Sequence, residues 1–153
     1  MMITWIQDPS EVWDKIKTIL VDDNGEYEKN GKFLGVFDEG KMTGAFLVKP
    51  MNDYCYEVHG GIAPEYFGQG YKICRSMGVY VFNHTSCLKI VAIVPVFNRL
   101  MIKCLGKIGL KKEGLLTKSF MKGFKMHDQI IMGITKQEAR KTRVKGEQLC
   151  PQH

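Results

Sequence analysis

The turn Phe67-Gly68-Gln69-Gly70 is the stretch of this 153-residue chain best suited to hold a charged ligand. Two glycines where a strand enters a helix leave no Cβ in the way, so unpaired first-turn amides and the positive end of the helix dipole can face a phosphate. The same glycines would also serve in a turn that binds nothing. Just upstream, Gly60-Gly61 permit a bulge, a tight turn or the close approach of a ligand. Glu57 and His59 precede them, and strand alternation puts both on one face. His127 and Asp128 are adjacent and would face opposite sides of a strand, and no Ser-His-Asp or Cys-His spacing suggests hydrolysis. The five cysteines, Cys55, Cys74, Cys87, Cys104 and Cys150, are widely separated, with no pair spaced as a zinc knuckle or redox motif. They read as buried free thiols in a reducing, cytoplasmic compartment, and no metal site is expected.

The elements that must position these residues follow from the pattern along the chain. Asp8-Pro9-Ser10-Glu11 reads as a helix start, with Asp8 as N-cap and Glu11 completing a capping box. Val12, Ile16, Ile19 and Leu20 then form one apolar face, which Asn24-Gly25 and Asn30-Gly31 interrupt. Lys32 to Phe37 and Met42 to Val48 read as a hairpin turned at Asp38-Glu39-Gly40, followed by a third strand from Tyr54 to Ile62. A helix is expected from about Gln69 to Asn83 and a short strand from Leu88 to Ile93. A second helix carries Phe97, Leu100, Met101, Cys104, Leu105 and Ile108 on one face, with Gly109 at C′. Leu110 to Phe120 and the alternating Ile130, Met132 and Ile134 supply two further strands. The expected fold is α/β (α+β): a mixed, mostly antiparallel central sheet with helices on both faces. Residues 1–138 form one domain and residues 139–153 a basic tail.

The formal net charge of +6 favours an anionic partner such as a phosphorylated cofactor, an acidic peptide or RNA, or else a solubilising surface. The basic run Lys136, Arg140, Lys141, Arg143 and Lys145 makes an RNA-associated substrate one such reading. The start lacks the basic and apolar regions of a signal peptide, and no uncharged stretch is long enough to span a bilayer, so no membrane partner is expected. Oligomeric state is left open.

The segment Gly61-Ile62-Ala63-Pro64-Glu65-Tyr66-Phe67-Gly68-Gln69-Gly70-Tyr71 resembles the acyl-CoA-binding motif of the GNAT superfamily of N-acetyltransferases, especially the branch that modifies ribosomal-protein N termini. The resemblance extends through Leu88-Lys89-Ile90-Val91-Ala92, Asn98, Lys107 to Gly114, Asp128 and Ile134 to Glu138, covering most of the chain from about Lys32. It implies acetyl-CoA as cofactor. Gly60, Gly61 and Ile62 would lie beside the pantetheine arm and acyl carbonyl. Phe67 to Lys72, that is Phe67, Gly68, Gln69, Gly70, Tyr71 and Lys72, would form the pyrophosphate turn, and Asn98 would stand near the cofactor or cap its own helix. Phe67 replaces the family's usual Gln or Arg, and Lys72 replaces a small residue, where it would contact phosphate, point away or obstruct. Leu105 stands where many members carry a tyrosine general acid.

The implied activity is acetyl transfer from acetyl-CoA to a primary amine of a peptide, protein or small molecule. Positioning supplies much of the rate in such a reaction, and backbone amides near Ile62 would polarise the carbonyl. Glu57 and His59 are the candidate catalytic residues, Glu57 accepting a proton directly or through water and His59 relaying it or orienting the amine. The other reading of the two is a hydrogen-bonded surface pair. The replacements at Phe67, Lys72 and Leu105 also fit a noncatalytic interaction protein on the same scaffold.

Overall fold

A computed structural model describes residues 1–12, 14–16 and 31–142. Its strands are β1 (Met2–Ile6), β2 (Lys32–Asp38), β3 (Lys41–Pro50), β4 (Cys55–Ile62), β5 (Lys89–Pro95), β6 (Lys111–Lys122) and β7 (Lys125–Thr135). Its α-helices are α1 (Gly70–His84), α2 (Arg99–Lys107) and α3 (Lys136–Lys141). The strands form one sheet in the order β1-β2-β3-β4-β5-β7-β6. All neighbours are antiparallel except β4 and β5, whose parallel pairing needs the crossover that α1 supplies. The mixed, mostly antiparallel sheet is the one expected.

Side chains alternate across this sheet, so each strand serves two cores. On one face Leu34, Val36, Phe46, Val48, Val58, Ile62, Ile90, Ala92, Met132 and Ile134 pack against Ile73, Met77, Val81 and Phe82 of α1 and Leu105 of α2. The opposite face is a smaller cluster of Phe33, Met42, Ala45, Leu47 and Ala63, closed by Ile16. Residues 14–16 are helical, so helical chain covers this face too.

Local chemistry explains the junctions. Glu39 (φ 47°) and Gly40 (φ 77°) make the two-residue β2–β3 turn with both central residues at positive φ, which matches strand twist. At the end of α2, Gly109 (φ 104°) allows Leu110 N to donate to Leu105 O and Gly109 N to Gly106 O, the paired closure of a Schellman motif. Asp8 caps a short 3-10 turn, Pro9–Val12, accepting from Ser10 N at 2.9 Å and Ser10 Oγ at 2.6 Å.

Several expectations need correction. Met2–Ile6 is an edge strand on β2, with Ile3 and Trp5 turned to the core; its period of two is short enough to pass as a chain start. Gly60 and Gly61 make neither a bulge nor a turn, because the β3–β4 ladder runs without a break from Pro50↔Tyr56 to Gly44↔Ile62. A Cβ on Gly60 would fall on the Phe46 ring, so the close approach there is made by the core. A 3-10 helix, Pro64–Gln69, stands between β4 and α1, where a direct turn was expected. Leu100 is 60% exposed, although the helical register placed it on the packed face. Residues 139–141 continue α3, which starts with a capping box: Thr135 Oγ1 accepts from Glu138 N, and a Glu138 carboxylate oxygen accepts from Thr135 N at 2.9 Å. Ile19, Leu20, the Asn24-Gly25 turn and the tail from residue 143 lie outside the described residues.

Two substitutions test this packing by urea unfolding. Gly60→Val should destabilise the fold by about 1–3 kcal/mol, because Phe46, 2% exposed, has nowhere to move. Gly109→Ala should cost about 1–2 kcal/mol from its positive φ, with Thr142 Oγ1 crowding the added methyl at 2.7 Å.

Candidate functional site

The parallel ladder between β4 and β5 lasts for three residue pairs, Cys55↔Lys89, Tyr56↔Ile90 and Glu57↔Val91. Beyond them β4 follows β3 to Ile62 and β5 follows β7 to Pro95. The inner edges of Val58–Ile62 and Ala92–Pro95 therefore have no strand between them. Backbone groups on such edges retain their hydrogen-bonding capacity and need a partner from solvent or ligand. A cleft of about 810 Å³ occupies the parting and is lined from both faces of the sheet, by Val58 and Ile62 of β4 on one and by Leu47 of β3 and His59 of β4 on the other.

Gly60, Gly61, Ile62, Phe67, Gly70, Tyr71 and Asn98 line this cleft, seven of the predicted cofactor residues brought together by β4, α1 and the start of α2. Gly68, Gln69 and Lys72 are exposed and do not line it. Lys72 stands between Tyr71, on the cleft, and Ile73, in the core, so its helical position turns it to solvent and it does not obstruct the opening. A Cβ on Gly68 would meet nothing within 4 Å, whereas one on Gly70 would stand 3.1 Å from Ile62 Cδ1. Gly70 thus lets the start of α1 seat against the end of β4. No side chain caps that start. Asn98 does cap α2, accepting from Met101 N at 3.2 Å, and lines the cleft as well.

The charged side chains on the wall are Lys49, Arg75, Lys103 and Lys107; among the described residues no carboxylate lines the cleft. A surface of one sign beside low-dielectric walls focuses attraction on an anion. The Lys107 ammonium lies 3.8 Å from the centre of the Tyr71 ring, which ties α2 to α1 at the mouth. Arg75, Lys103 and Lys107 were not singled out from sequence. The available signal was spacing: Tyr71 with Arg75, and Lys103 with Lys107, are each four apart and so share a helix face.

Glu57 and His59 do share a face. The imidazole Nε2 lies 2.6 Å from Glu57 Oε1, and Lys49 Nζ lies 3.9 Å from Oε2. The imidazole nitrogen is buried and makes no hydrogen bond of acceptable angle, so the contact is close but misaligned. His59 lines the cleft and Glu57 does not. Asp128 serves the scaffold, accepting from Lys118 N at 2.8 Å where β6 is irregular. Leu105 is buried and offers no hydroxyl. Cys74 and Cys104, unrelated by spacing, both line the cleft, brought to it by the packing of α1 on α2. Among the described residues no cluster of three or more ligating side chains could hold a metal ion, and no helix is long and apolar enough to cross a membrane.

No family model matches the chain, and no curated protein matches it in sequence. Solved structures do match it in shape. A chimera of spermidine N-acetyltransferase SpeG from Vibrio cholerae and hSSAT superposes with a TM-score of 0.77 at 17% identity, covering 93% of this chain and 100% of that one. The Vibrio cholerae spermidine N-acetyltransferase in complex with CoA and spermine gives 0.75 at 16% identity, covering 91% and 97%. An acetyltransferase of the GNAT family from Bacillus anthracis gives 0.60 at 21% identity, covering 71% and 68%. With its parted β4 and β5 and the crossover helix between them, the chain has the GNAT acetyltransferase fold.

Proposed function

We propose that this protein transfers an acetyl group from acetyl-CoA to a primary amine of a peptide, protein or small molecule. The observation that carries the reading is the cleft at the parted strands, walled by cations and, among the described residues, by no carboxylate. That wall fits a cofactor bearing phosphates. The open edge at Gly60, Gly61 and Ile62 would hold the pantetheine arm through backbone groups. The start of α1 at Gly70, with Arg75, Lys103 and Lys107, would neutralise the phosphates. Bound acetyl-CoA supplies the activated thioester.

The chain's own residues then have separate tasks. His59 takes a proton from the acceptor ammonium, directly or through water, while Glu57, 2.6 Å from Nε2, holds the imidazole in place. The amides near Ile62 polarise the acyl carbonyl. Leu105 has no proton to give, so water would have to supply the one that the CoA thiol needs. The sequence blocks shared with the ribosomal-protein N-terminal branch favour a peptide amine as acceptor.

The buried Leu105 also favours a second reading, an interaction protein that keeps the cleft without turnover. An amine panel incubated with acetyl-CoA and read by thiol release and intact mass separates the two. Transfer to at least one amine is expected; saturable CoA binding with no transfer supports the interaction protein, and absence of both sinks the acetyl-CoA reading. His59→Ala should lower kcat by roughly 10²- to 10⁴-fold while weakening CoA binding far less. Equal loss of both would instead place His59 in cofactor binding.

A further inference from the structure

The hairpin of β6 and β7 ends in an apolar tip exposed to solvent. Gly123 (φ 61°) takes the first place of the two-residue turn and Phe124 the second, with Lys122 and Lys125 closing the ladder. Phe124 is fully exposed, and Met121 and Met126, cross-strand partners one step back, are each half exposed. Successive pairs face opposite sides of the hairpin. Phe120, Lys122 and His127 lie on the side of the Phe97 ring, so Met121 and Met126 face away from it. We propose that this tip is a docking element for an anionic lipid surface, with Phe124, Met121 and Met126 entering the boundary between headgroups and acyl chains and Lys122 and Lys125 binding anionic headgroups.

Charge selects the partner. From Gly114 to His127 the hairpin carries Lys118, Lys122 and Lys125 and no carboxylate. Its two carboxylates are engaged elsewhere: Glu113 pairs with Lys89 at 2.6 Å, and Asp128 accepts from Lys118 N at 2.8 Å. Lys122 and Lys125 stand directly opposite each other across the ladder, an arrangement that costs stability until an anion screens it. An anionic leaflet supplies that charge at the end of the molecule where apolar side chains gain by leaving water. The long lysine stems let the ammonium groups stay among the headgroups while Phe124 goes deeper.

Other occupants fit less well. A second copy would meet the tip with lysines of its own, so like charge opposes a tip-to-tip dimer. A nucleic acid would satisfy the lysines, but Met121 and Met126 have no donor for its phosphates. A groove on an acidic protein must match a convex tip in shape, whereas a lipid surface yields to it. The expectation of no membrane partner rested on the lack of a spanning stretch and an export signal, and a docked tip needs neither. Nor does docking depend on the acetyl-CoA reading.

The full chain is mixed with phosphatidylcholine vesicles, with or without about one-third phosphatidylserine, and bound protein is followed by flotation. Binding to the phosphatidylserine vesicles that falls as salt rises is expected, with phosphatidylcholine alone bound at least about tenfold more weakly. Phe124→Ser should weaken binding at least about tenfold and leave the urea midpoint unchanged, because the ring is fully exposed. Lys122→Glu together with Lys125→Glu should remove the preference for phosphatidylserine. In Phe124→Trp the added tryptophan emission should shift to shorter wavelength on those vesicles. No binding, equal binding to both vesicles, or binding that Phe124→Ser leaves unchanged would overturn the site, the last by assigning the attraction to basic residues elsewhere. A lipid-free dimer that Phe124→Ser dissolves, or single-stranded RNA bound while the vesicles are not, would overturn it in favour of a second copy or a nucleic acid.

Discussion

β4 and β5 run together for three residue pairs and then separate, each continuing along a different antiparallel partner. Buried backbone groups need partners, and a strand that loses a neighbour leaves half of its edge groups unmet. Here the outer edges stay fully paired, on β3 and on β7, so the sheet parts without coming apart. The unmet groups are confined to one cleft. Gly60 and Phe46 brace its wall: the aromatic ring takes the space a side chain on β4 would fill, and both residues are held in register by the β3–β4 ladder.

Because the parting passes through the sheet, the cleft joins two environments that the sheet otherwise keeps separate. On the face covered by α1 and α2 lie Arg75, Lys103 and Lys107, with the uncapped start of α1. On the face of Leu47 lie Lys49, Glu57 and His59. Glu57, close to His59 and to Lys49, supplies a local negative charge on this face.

Much of this was legible in the residues. The hairpin at Glu39-Gly40, the register of α2 and its Gly109 stop, and the shared face of Glu57 and His59 all follow from local periodicity and turn chemistry. The same kind of signal was present and unread in Met2–Ile6, whose alternation is only five residues long, and in the fourfold spacing of Lys103 and Lys107. Gly60 misled in a different way. A glycine pair in a strand is locally ambiguous, and its meaning here depends on Phe46, which is distant in sequence.

By itself the sequence determined most of the strands and helices, where most of them stop, and that Glu57 and His59 share a face of the strand before the central helix. Those are properties of backbone preference and of side chains a few residues apart. Only the tertiary structure decided that Phe67-Gly68-Gln69-Gly70 divides, with Phe67 and Gly70 on the cleft and Gly68 and Gln69 in solvent, that Lys72 turns away, and that Cys74 and Cys104 line the same cleft. Each of these depends on where α1 rests against β4 and α2. That placement is set by packing between residues far apart in the chain, which no local pattern encodes.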